Sequence, residues 1–121
     1  MKGATVKCFS VVTRALQRNN VVSRLDCRRA GLSDDQALEV ALLLRVNDAI
    51  QECSLSMNSF TDAAAGTVAS ALEKNTALTA LDTRAGEEGL KGLGKALRIN
   101  TTLKTVRVQL AGVHPHVLHL V

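Results

Sequence analysis

The chain has 121 residues, of which 46% are hydrophobic and 21% charged, a balance that suits a folded domain with a real core and excludes disorder. Phe9 and Phe60 are its only aromatic residues, which argues against nucleic-acid or glycan recognition by stacking. The net charge of +4 divides into +6 over residues 1–29, −5 over 30–76 and +3 over 77–121, with the basic residues interspersed among apolar sites, so a nucleic-acid partner is disfavoured.

Residues Met1–Lys7 lack the apolar stretch of a signal peptide, and the longest aliphatic run, Val40–Leu44, is far below the roughly 20 residues a membrane helix needs. An intracellular, cytoplasmic protein away from membranes is expected. From Met1 to Asn20 two readings stand: a short strand near Val6–Val11 feeding an abbreviated helix, or a lone helix along Cys8, Val12, Ala15 and Leu16.

Beyond that point one pattern recurs. Asn19, Asn47, Asn75 and Asn100 follow helix-like ends and precede strand-like starts, at intervals of 28, 28 and 25 residues. Strands are predicted over 22–27, 50–55, 78–83 and 103–108, and helices over 34–46, 62–74 and 87–98. Ser33 with Gln36 reads as a capping box for the first helix, and Thr61 or Asp62 caps the second. The expected buried stripes are Ala37, Val40, Ala41 and Leu44; then Ala65, Val68, Ala69 and Leu72; then Leu90, Leu93 and Leu97. Gly86, Gly89, Gly92 and Gly94 mark the third helix as the loosest, since an interior glycine costs about 1 kcal/mol relative to alanine.

Cys27 and Cys53 occupy inward strand sites roughly 8 Å apart on the diagonal, too far for a disulfide, and Cys8 leaves the count odd. A reducing compartment is expected.

The segment Ile50-Gln51-Glu52-Cys53-Ser54-Leu55-Ser56-Met57-Asn58-Ser59-Phe60 resembles the leucine-rich repeat of the ribonuclease-inhibitor type, and the likeness extends over about residues 15–110. It implies a short right-handed α/β solenoid with parallel strands on the concave face and helices on the convex face. The expected layout is a single domain over 1–121: an atypical unit over 1–20, repeats over 21–110 and a tail over 111–121. Asn58 is expected to satisfy backbone groups where the strand turns away, a structural role.

Strand residues between the apolar sites form three outward rows: Arg24, Glu52, Ala80 and Thr105; Asp26, Ser54, Asp82 and Arg107; Arg28, Ser56, Arg84 and Gln109. Such rows are where a repeat protein of this type contacts a partner, and they constitute the candidate site. The resulting expectation is a noncatalytic protein-interaction module with a protein partner and no cofactor. The alternative is a GTPase-activating regulator resembling Ran GTPase-activating proteins, in which Arg28 or Arg84 would act. Gly89–Lys95 lies in a helical stripe and lacks phosphate-loop spacing, and His114, His116 and His119 have no acidic or thiol residue nearby in sequence, so neither carries a ligand expectation. With about three full repeats, self-association or partner binding through the open last strand is also expected.

Overall fold

The computed structural model of the protein describes residues 4–7, 15–110 and 116–119. Six strands form one sheet in chain order: β1 (Ala4–Lys7), β2 (Val22–Asp26), β3 (Glu52–Ser54), β4 (Ala80–Ala85), β5 (Thr105–Leu110) and β6 (His116–His119). Strands β1 to β5 pair in parallel, and β6 lies antiparallel to β5. Helices α1 (Asp34–Val46), α2 (Asp62–Ala71) and α3 (Glu87–Ile99) connect the strands from β2 to β5 and pack side by side. Parallel neighbours cannot be joined by a tight turn, so each needs a long crossover, and from β2 to β5 it is a helix.

The core lies between sheet and helices. Leu25 and Cys27, Ile50, Cys53 and Leu55, Leu78 and Leu81, and Leu103, Val106 and Val108 are all buried from the strand side. Helix residues Ala37, Val40, Ala41 and Leu44 meet them, as do Ala65, Val68, Ala69 and Leu72, then Leu93 and Ala96. Leu90 departs from the expected stripe and is 37% exposed; Gly89 takes the inward place beside it.

The recurring asparagines do more than mark the period. Each uses its side-chain oxygen to accept the amides two and three residues ahead: Asn19 from Val21 and Val22, Asn47 from Ala49 and Ile50, Asn75 from Ala77 and Leu78, Asn100 from Thr102 and Leu103. Their Nδ2 groups donate backwards, from Asn47 to Leu16 O and Asn19 O, from Asn75 to Leu44 O and Asn47 O, and from Asn100 to Leu72 O and Asn75 O. Asn47 and Asn75 are 4% exposed, so without these bonds buried peptide groups would lack partners. The same bonds explain why β3, β4 and β5 begin two residues later than predicted. Residues 49–50, 77–78 and 102–103 belong to a turn held by the asparagine, and the ladder starts beyond it.

Asn58 fills the structural role expected of it. Its Nδ2 donates to Cys27 O at 2.7 Å and Leu55 O at 2.9 Å, and its Oδ1 accepts Ala30 N and Leu32 N. Arg29 (φ 51°) and Met57 (φ 62°), one repeat apart, take left-handed backbone in the same turn. The third repeat has no such turn, and β4 runs on to Ala85 directly before α3.

Helix α1 keeps its predicted limits, with Ser33 N donating to Gln36 Oε1 at 2.8 Å. Helix α2 stops at Ala71 rather than residue 74, because Leu72, Glu73 and Lys74 donate three residues back in a tightened turn. Thr61 caps α2, and its hydroxyl accepts Ala64 N at 3.4 Å.

At the N-terminal end a strand forms beside β2, with Thr5 opposite Arg24, but over Ala4–Lys7 rather than Val6–Val11, and residues 8–14 lie outside the described ones. Cys8 and Phe9 lie outside the described residues, as do His114 and Pro115; His116 and His119 bound β6. That strand corrects the expectation of an open edge on β5. Thr105, Val106, Arg107 and Val108 pair with His119, Leu118, Val117 and His116, so the β5 edge is occupied by the chain itself. Among the described residues no helix is long and apolar enough to cross a membrane.

Candidate functional site

Alternation along a strand sends the residues between the buried sites to the opposite face of the sheet. The register aligns them across repeats as the sequence pattern implies. Arg24 lies opposite Glu52, Glu52 opposite Ala80, and Ala80 opposite Thr105. In the second row Asp26, Ser54, Asp82 and Arg107 are successive partners. The third row is a true ladder only at its end, where Arg84 faces Gln109. Arg28 and Ser56 lie past the ends of β2 and β3, in the turns that Asn58 holds.

The sheet continues one strand further than the repeats chosen from sequence. Thr5 joins the first row opposite Arg24, and the backbone register pairs Lys7 with Asp26. The alternation of Thr5, Val6 and Lys7 was the available signal, but no preceding asparagine marks that strand. The rows border a shallow hollow of about 590 Å³, lined by Arg24, Asp26, Glu52, Asp82, Thr105 and Arg107 among others.

Charge on this face is largely paired within the chain at one end. Arg24 Nε meets Glu52 Oε2 across the strands. Arg28 binds Asp26 with two side-chain bonds, Nε to Oδ1 at 3.0 Å and Nη2 to Oδ2 at 3.2 Å, and its amide donates to the same Oδ1. The hydrogen bond to Asp26, then its charge, hold the Arg28 guanidinium above its ordinary pKa. This pairing engages Arg28, one of the two arginines considered for the GTPase reading. Ser54 Oγ donates to Asp82 Oδ2 at 3.2 Å. Arg84 and Arg107 are exposed and form no ion pair among the described residues.

No family model matches the chain, and no curated protein sequence matches it. Among solved structures it is similar to the actin-binding site 2 of leiomodin-1, with a TM-score of 0.75 and 27% sequence identity. The match takes in 82% of this chain and 60% of that one, so this chain spans less than two thirds of the length of its structural neighbour. The neighbour is an actin-binding region, and the likeness fits an α/β, leucine-rich-repeat-like fold and a protein-interaction role.

Proposed function

We propose that this chain is a noncatalytic protein-interaction module, a right-handed leucine-rich-repeat solenoid of the ribonuclease-inhibitor type that binds its partner on a concave strand face. The observation that carries this reading is the aligned rows of polar side chains over a hollow about 590 Å³ in size, floored by the core residues Leu25, Cys53 and Leu81, while the charged side chains around it lie outside the core. Handedness follows from the helical crossovers between parallel strands, which are right-handed in nearly all known cases. The contact set is Arg24, Asp26, Arg28, Glu52, Ser54, Ser56, Asp82, Arg84, Arg107 and Gln109. Burial of Cys27 and Cys53 as thiols suits a reducing, cytoplasmic setting.

Actin is the first partner to test, because the solved structure it resembles is an actin-binding region. Sedimentation with actin filaments and gel filtration with monomeric actin measure the interaction, and GTP turnover by candidate GTPases runs in parallel. The expected result is saturable actin binding without acceleration of GTP hydrolysis. Binding that is lost when the helices are altered but not when the strand face is altered would contradict the proposed face. Acceleration that disappears in Arg84→Ala would support the GTPase-activating alternative instead.

A further inference from the structure

Resting on the strand face as the binding surface, we infer that the partner presents an acidic segment of protein chain to Arg84 and Arg107. The charges of the contact set are four basic (Arg24, Arg28, Arg84, Arg107) and three acidic (Asp26, Glu52, Asp82), a net of 4 − 3 = +1. Their pairing is lopsided. Arg24 is taken by Glu52 and Arg28 by Asp26, while Asp82 is half-buried and accepts from Ser54. The remaining cations, Arg84 and Arg107, stand at the β4–β5 end of the face, exposed and without an ion pair among the described residues.

Their spacing defines what fits. Arg107 lies opposite Asp82 and Arg84 opposite Gln109, so the two arginines are diagonal neighbours on adjacent strands, about 7–8 Å apart. Each guanidinium is a planar fork suited to a carboxylate. In an extended segment, side chains two residues apart point the same way and are separated by about 6.6 Å. Carboxylates at alternate positions of such a segment therefore match the two arginines, with polar residues between them facing outward. A nucleic-acid strand fits less well. It gains affinity from a continuous basic track, whereas Asp82 interrupts this one and Glu52 and Asp26 lie beyond it.

The test uses the whole chain with three labelled probes: a short peptide alternating Glu and Ser, one alternating Lys and Ser, and an oligothymidine of similar length. Fluorescence anisotropy gives affinities, and backbone amide shifts locate each probe. The Glu/Ser peptide is expected to bind alone of the three, with shifts centred on residues 82–85 and 105–109 and affinity falling as salt rises. Arg84→Gln with Arg107→Gln should weaken it about tenfold, and Lys91→Gln with Lys95→Gln on α3 should alter it by less than about twofold. Amide spectra of both variants check that each remains folded. Tighter binding of oligothymidine or of the Lys/Ser peptide would overturn the inference, as would indifference to the loss of both arginines. A silent Glu/Ser peptide overturns it too, but leaves the interaction module standing if the protein partner tested above still shifts strand-face amides. Shifts confined to the helices for every binder, that protein included, remove both.

Discussion

Asp62 Oδ1 accepts the Gly89 amide at 2.8 Å, and a β-carbon on residue 89 would lie 2.6 Å from that same oxygen. The carboxylate belongs to the first turn of α2, yet it serves the start of the next helix, also accepting Gly86 N and Glu88 N at 2.8 Å. One repeat earlier Asp34 does the same for α2, accepting Thr61 N at 2.7 Å and the Thr61 hydroxyl at 2.8 Å. Negative charge beside these unpaired amides satisfies them and complements the helix dipole.

Gly89→Ala should therefore destabilise the fold by about 1–3 kcal/mol, the usual range for forcing an extra methyl into a packed site. The added carbon would also meet Ala85 Cβ at 3.0 Å and Ala65 Cβ at 3.1 Å. Gly94, in the same helix, has nothing within 4 Å of the corresponding position. Gly94→Ala should stabilise by up to about 1 kcal/mol. Urea midpoints of the two variants check the contrast, and a gain in both would show that α2 and α3 are not packed this closely.

Acid should undo the links between helices. At Asp62, burial pushes the pKa up, but amides from Gly86, Gly89 and Glu88 outweigh it and hold the carboxyl below its ordinary value. Asp34 is lowered mainly by the Thr61 amide, then by the Thr61 hydroxyl. A depressed folded pKa contributes stability that is complete above the unfolded value, near about 3.9, and lost as pH falls through the folded one. The melting temperature should accordingly drop below about pH 4, and Asp34→Asn with Asp62→Asn should flatten that part of the profile. An unchanged acid limb in the double variant would contradict the role given to these carboxylates.

Much of this arrangement was legible in the sequence because burial imposes a period. The order of strands, the alternate phase of Leu81 and Asp82, and the rows across repeats all follow from apolar spacing. Asn58 was legible as a backbone partner through the likeness of its segment to a leucine-rich repeat, since peptide groups buried where the strand turns away need partners. Bonds between repeats were not legible. Asp34 and Asp62 look like ordinary first-turn acids, and nothing local shows that they reach the next helix. Gly89 likewise reads as a weak helix position until Asp62, Ala65 and Ala85 are seen around it. The strand starts were displaced because apolar residues such as Ile50 and Leu78 are buried while still in the asparagine turn. Pairing of 116–119 with β5 carries no repeat signal at all, since an antiparallel end strand shares none of the period.

Asn75→Ala should be among the costly polar substitutions. It strands Leu44 O and the amides of Ala77 and Leu78 in a buried turn, at about 1–3 kcal/mol for each group left without a partner. Asn75→Asp keeps the acceptor but sets an oxygen against the Leu44 carbonyl, so it should not rescue stability. Thermal melts of both variants test this. Wild-type stability in Asn75→Asp would mean that the donated bond to Leu44 contributes little.

The assignment of opposite faces to neighbouring strand residues is tested most directly by the urea midpoints of Leu81→Asp and Asp82→Ala. Leu81 is 3% exposed between the sheet and the helices, and a charge there lacks a partner, a loss of several kcal/mol that should unfold the chain. Asp82 lies on the outward row beside Ser54 and Arg107, and its truncation should move the midpoint little. A folded Leu81→Asp, or equal losses in the two variants, would contradict the strand phase on which the binding face rests.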